Sequence, residues 1–293
     1  MLRKKVPVLN KTFWVALALI LALCTGGYLF HRAISRPAAP QAGVTRPQPQ
    51  SEIHPVLTEL PSLPGESDSF DDPLHKTVVD LGQSPYLMPG NPNHSTLTCK
   101  YYSAFMVKEL DMKEQGDEWT AVAPSNPQNM PACVQQHGRD EFEIKDADGH
   151  NWAGYFAGVK WNLVFLDGDD GYNEGMPFGV FDALTGRKVF EDSSEFLNGQ
   201  RLHITNKDGQ LIIRYRRVDA AECSIPQKNE ECWRHIRMKA GLEPQPMPKC
   251  SGYDQKGVDN TDPSVVSYLY EVALLPSLKQ RALPGEVKCR PAD

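Results

Sequence analysis

Apolar residues in this chain come in short runs separated by turn-forming residues. The clearest lie between 161 and 194. Leu163, Val164, Phe165 and Leu166 form a run that stops at Asp167 and Gly168, the composition of a short strand followed by a turn. A second run covers 178–181. Asp182-Ala-Leu-Thr-Gly186 then supplies turn chemistry, and apolar positions resume over 187–190. Residues 178–190 therefore predict a β-hairpin with a loop of about five residues.

The same pattern predicts strands elsewhere. Residues 97–108 read as one strand carrying Tyr101, Tyr102, Phe105 and Val107. Residues 119–122 and 141–145 read as two short ones, and the glycine-rich, aromatic 152–159 as a bulged one. Residues 202–205 and 211–218 flank Asn206-Lys-Asp-Gly209, a second hairpin signal. Alternation places Leu211, Ile213 and Tyr215 on one face and Ile212, Arg214 and Arg216 on the other. Residues 265–275 form a long closing strand.

One helix is predicted. Asn229 caps it, Glu230 and Glu231 suit its N-terminal dipole, and Gly241 followed by Pro244 stops it. Trp233, Ile236 and Ala240 form its buried stripe. Many short strands with one or two short helices and no βαβ rhythm predict an all-β or β-rich α+β domain. Its sheets are expected to be antiparallel and sandwich-like.

Ahead of this domain the pattern changes. Residues 1–12 are basic. Residues 13–30 are an uncharged run of 18, and as a helix they reach about 27 Å, enough for the hydrocarbon layer. Bulky Leu23 before Cys24 argues against a lipoprotein site, and no A-x-A site follows. An uncleaved transmembrane signal-anchor is expected. Arg3, Lys4, Lys5 and Lys11 outweigh Arg32 and Arg36, which keeps the N-terminus in the cytoplasm. Residues 31–75 read as a Pro-rich stalk, and 76–293 as the extracytoplasmic domain. The expected setting is a bacterial inner membrane with a periplasmic bulk.

Charge and cysteines sharpen that expectation. The formal net charge is −6, from 31 basic and 37 acidic residues. Seven of the basic ones precede Glu52, the first acidic residue, leaving 24 basic against 37 acidic. A domain this acidic does not bind nucleic acid through a general field. Its expected partners are the membrane, through the N-terminal helix, and another envelope protein or a glycan. Of the seven cysteines, Cys24 lies in the apolar run. The other six, Cys99, Cys133, Cys223, Cys232, Cys250 and Cys289, suggest three disulfides in an oxidising compartment. Spacing alone leaves 15 pairings open; we take the sequential one, 99–133, 223–232 and 250–289. No C-x-x-C pair points to zinc.

Candidate chemistry concentrates in one loop. Asp167, Asp169, Asp170, Asn173 and Glu174 offer five oxygen-bearing side chains within eight residues. That composition suits Ca2+, although Gly171 and Phe178 break the EF-hand pattern. The competing reading is a polar turn whose Asp side chains bond their own backbone. An apolar strand ending in Asp167-x-Asp169 also resembles the metal-binding signature of sugar-nucleotide glycosyltransferases. The resemblance implies a divalent ion held against a diphosphate, on a parallel α/β fold, and a membrane-anchored layout like this one. Asn93-His-Ser95 would then be a glycosylation acceptor. There is no G-x-S-x-G, S-x-x-K or H-E-x-x-H nucleophile or zinc motif. Arg214, Arg216 and Arg217 form a basic cluster suited to an anionic glycan, or to blunting a sheet edge. No catalytic residue and no resident cofactor is assigned. The leading expectation is a binding or structural module, with a metal-dependent transferase and a calcium-stabilised β module as alternatives.

Overall fold

In the computed structural model of the chain, the described residues are 69–293 apart from 147, 174, 196–201, 208 and 293. The expected cytoplasmic segment, the apolar run 13–30 and the stalk up to residue 68 lie outside them. Among the described residues no helix is long and apolar enough to cross a membrane.

Two antiparallel sheets make up the fold. The first is a five-stranded meander in chain order: β1 (His75–Gln83), β2 (His94–Tyr101), β3 (Phe105–Asp111), β4 (Trp119–Pro124) and β5 (Phe142–Glu143). The second has nine strands: β6 (Gly154–Lys160), β7 (Leu163–Gly168), β8 (Gly175–Asp182), β9 (Lys188–Glu195), β10 (His203–Lys207), β11 (Gln210–Ala220), β12 (Ser264–Leu275), β13 (Lys279–Ala282) and β14 (Lys288–Pro291). Its order is β13-β12-β11-β9-β8-β7-β6, with β10 beside β11 and β14 beside β12. The helix α1 (Ile225–Ala240) lies between β11 and β12 in the chain.

The strand alternation sorts apolar side chains into three layers. On β7, Leu163 and Phe165 go to one side and Val164 and Leu166 to the other, all four buried. One layer lies between the sheets, with Phe105, Val107 and Val122 meeting Val159, Val164, Leu166 and Phe181. A second covers the far side of the large sheet, where Phe178, Ile213, Tyr215, Tyr268 and Val272 pack with Trp233 and Ile236 of α1. The third, with Leu97, Met106, Leu110 and Trp119, lies on the outer face of the small sheet.

Each disulfide closes one cover over one of these layers. Cys99 pairs with Cys133, Cys223 with Cys232 and Cys250 with Cys289, the sequential order. The first pins the β4–β5 connection over the small sheet. The second joins the end of β11 to α1, and the third joins the segment after α1 to β14. Loops of 34, 9 and 39 residues restrict the unfolded chain by roughly 2–4 kcal/mol each in the chain-entropy account.

Several expected elements differ in detail. The strand expected over 97–108 is two strands, because the chain reverses after Tyr101. Tyr102 N–H donates to Phe105 O at 2.8 Å, and the two rings stack at 5.2 Å. The exposed tip, Ser103-Ala104, carries no glycine or asparagine, and the flanking Tyr102 and Phe105 are buried in the inter-sheet layer, so the run reads as continuous. The helix starts earlier than expected. Ser224 is its cap, accepting from Gln227 N–H, and Pro226 sits in its first turn. Asn229, the expected cap, instead interrupts the helix with φ 45° and ψ −123°. Gly241 ends it in the left-handed region, as expected.

Packing is already under way at Phe70, within the expected stalk. Its ring lies 5.3 Å from Phe165 and occupies the space a Cβ at Gly158 would take. Asp71 N–H donates to Val159 O at 2.7 Å, and its carboxylate accepts from Lys160 Nζ and Trp161 N–H.

β6 approaches β7 most closely at Gly154, where a Cβ would sit 1.7 Å from Asp167 O. That neighbour is backbone and cannot swing away. Gly154→Ala is expected to destabilise the protein by about 3 kcal/mol, the upper end of ordinary overpacking, as measured by urea unfolding. A variant within 0.5 kcal/mol, the surface-substitution range of roughly that size, shows that the two strands separate without penalty.

Candidate functional site

The loop after β7 is built as a polar turn. Asp169 N–H donates to Ala153 O at 3.2 Å, and Asp169 O accepts from Gln115 Nε2 at 2.9 Å. Asp167 O accepts from Trp152 Nε1 at 3.0 Å. Asp170 Oδ1 accepts from Gly171 N–H at 2.8 Å, bonding its own loop. Tyr172 and Gly175 exchange backbone bonds across Asn173, which is buried with φ 54° and whose carbonyl accepts from Arg290. Glu174 lies outside the described residues. Among the described residues no three His, Cys, Asp or Glu side chains gather where a metal ion would be held. The ladders between named strands are antiparallel, unlike the parallel α/β sheet that the glycosyltransferase resemblance implies.

The arginines after Leu211 are each met by carboxylates. Arg214 pairs with Glu271 at 2.6 Å, and Glu271 also holds Arg281. Arg216 pairs with Glu195, which holds Lys288 as well. Arg217 lies on the opposite face, 3.1 Å from Asp192 and 3.7 Å from Asp219, with its guanidinium 4.7 Å over the Tyr270 ring. Tyr215 OH donates to Asp192 and Tyr268 OH donates to Asp219. Burial drives both phenols well above their usual range. Burial works against the Arg217 charge, but Asp192 and Asp219 more than offset it. The two carboxylates thus each take a phenol hydroxyl as well as the Arg217 charge, while Arg217 Nε is buried without a hydrogen-bond partner among the described residues. Beside it, between α1 and the end of β11, lies a cavity of about 180 Å³ lined by Asp219, Ala221, His235, Ile236, Lys239 and Val266.

A second cluster escaped the sequence reading. It sits at one end of the inter-sheet layer, where the β3–β4 turn docks on β6. Asp117 N–H donates to Gly154 O at 2.6 Å, and Gly116 N–H donates to Tyr155 OH at 2.8 Å. Lys100 and Glu109 come from β2 and β3 and form an ion pair that is mostly buried. The Lys100 ammonium lies 4.0 Å over the Phe156 ring. Asp117 Oδ2 is buried and has no hydrogen-bond partner among the described residues.

Its chemistry follows from that placement. Burial, with Asp111 nearby, raises the Asp117 carboxyl from 3.8 to about 7, against the Phe156 N–H, Lys100 and Lys113. Burial and Lys76 lower the Lys100 ammonium to about 8, against Asp117; the touching Glu109 carboxylate also favours the charged form. The arrangement therefore takes up and releases a proton near neutral pH, at the joint between the two sheets. Lys100, Glu109 and Asp117 come from separate strands and a turn, so no local spacing points to them.

Comparison with known proteins found no matching family model, no matching curated protein and no matching solved structure.

Between 3.8 and about 7 the folded chain holds a proton that the unfolded chain has released. This carboxyl therefore makes stability fall as pH rises through that window. The full linkage is roughly 4 kcal/mol, and partial solvent access reduces it to about 2 kcal/mol. In urea unfolding, Asp117→Asn is expected to match the parent near pH 4 and to exceed it by that amount at pH 8. An equal difference at both pH values would assign the titration to another group.

Proposed function

We propose that this chain is a membrane-tethered envelope protein that presents a disulfide-pinned β-rich domain outside the cytoplasm and works by binding rather than catalysis. The observation that carries the reading is the complete pairing of the domain's six cysteines, 99–133, 223–232 and 250–289. Such pairing persists where thiols are oxidised. The uncharged run 13–30, basic residues before it and the Pro-rich stretch after it supply the matching anchor and tether. The partner class is another envelope component, met by the acidic domain at a distance set by the stalk.

The large sheet's outer charges support a binding role of a particular kind. Arg214, Arg216 and Arg217 are engaged with Glu271, Glu195 and Asp192. A polyanionic glycan would have to displace those pairs, so an interaction through apolar and backbone groups fits the domain better.

Thiol counting and fractionation test this reading. The full-length chain, denatured without reductant, is expected to show one reactive thiol, Cys24, and seven after reduction. It is expected in the membrane fraction, with the domain cut by protease added from the outer side. Six free thiols in native cells, or recovery in the cytosol, would overturn the assignment. Removing residues 13–30 is expected to release the chain from membranes.

A further inference from the structure

The two sheets are offset, and the offset leaves β1 uncovered. The apolar inter-sheet layer draws on β3 and β4; β2 reaches it only at Lys100, over Phe156, and β1 gives it no residue. β1 is the outer strand of its sheet, and among the described residues its only strand partner is β2. Val79 packs toward the layer under the Cys99–Cys133 cover. Lys76, Val78 and Asp80 alternate onto the opposite face, where Lys76 is in register with Lys100. All three are exposed, Val78 by 55%. No proline interrupts His75–Gln83, and the register to β2 shifts only after Asp80, so over 75–80 no described strand pairs with the outer row of its backbone N–H and C=O groups.

From this edge we infer that β1 is a self-association surface, pairing antiparallel with β1 of a second copy of the chain about a two-fold axis at Val78. The argument is charge complementarity. An antiparallel pair centred on Val78 sets Val78 against its own copy. It also sets Lys76 of each chain opposite Asp80 of the other, twice, on the same exposed face. Opposite charges facing each other across strands stabilise the pair, and like charges disfavour it. A two-fold contact requires such a self-matching patch. The resulting ladder joins the two small sheets into one continuous sheet through main-chain bonds. His94 of β2 meets the same Asp80 carboxylate at 2.8 Å, so Lys76 of the second copy would share that carboxylate with it.

The interface is one strand wide and therefore weak in dilute solution. Two chains tethered to one membrane meet at a far higher effective concentration. The edge geometry itself does not rest on the proposed location.

The test uses the full-length chain in detergent, in a Cys24→Ser background. Val78→Cys is expected to give an oxidised homodimer, because directly opposed residues lie within disulfide reach. Met88→Cys, an exposed control outside β1, is expected to give little. Added to Val78→Cys, either Lys76→Glu or Asp80→Lys is expected to lower the dimer yield about tenfold, and the two together to restore it. Mapping the native disulfides in each variant confirms folding, and restoration in the exchanged pair separates a charge effect from misfolding. Equal dimer yields from Val78→Cys and Met88→Cys would overturn the proposal. So would no recovery in the exchanged pair, or cross-linking only to a different protein.

Discussion

Over β7 and β8 the large sheet is buried on both faces, within the inter-sheet layer on one side and, on the other, within the layer that Phe70 and α1 also enter. Double burial governs what those strands are made of. Leu163, Val164, Phe165 and Leu166 are apolar in succession because each face needs them. It also dictates where side chains must be missing. Gly154 lets β6 close on β7, and Gly179 leaves room for the rings of Phe181 and Trp152. The glycines and aromatics of this region are complementary halves of one packing solution.

Charge inside the molecule is settled locally, in two different ways. Lys108 is fully buried on the small sheet, yet its ammonium meets Glu141 at 2.7 Å, donates to Gln136 O and lies 5.4 Å over Trp119. Arg217 is likewise enclosed by two carboxylates and an aromatic face. These groups have partners and hold their surroundings in place. Asp117 is the contrasting case. Its carboxyl is buried with one oxygen unpartnered, so it avoids the desolvation cost by holding its proton to near neutral pH.

Strong periodicity was readable in advance. The runs at 163–166 and 178–190, the hairpin around Gly209 and the inward face of Leu211, Ile213 and Tyr215 all carry their pattern in adjacent residues. The cysteine spacing did not carry the pairing; the sequential order taken from among fifteen is the one the structure shows. β1 was not legible, because an edge strand with an exposed face needs no apolar alternation; its three apolar residues, Val78, Val79 and Leu81, fall in no strict period of two. The break at Tyr102 was hidden because the aromatics flanking the turn, Tyr102 and Phe105, belong to the core. The Lys100–Glu109–Asp117 cluster exists only once β2, β3 and the following turn are brought together, and no one-dimensional spacing encodes that meeting. The carboxylates at 167–170 are conspicuous in sequence because they are adjacent; what sequence does not show is that Asp170 accepts from the backbone of its own loop.

The cysteine connectivity has a consequence for how the chain matures. The six half-cystines pair first with second, third with fourth and fifth with sixth, with no bond crossing or enclosing another. A chain oxidised as it emerges, N-terminus first, would therefore form its native links simply in order of appearance. Such a protein depends on a donor of oxidising equivalents and makes little demand on a catalyst that shuffles mispaired bonds.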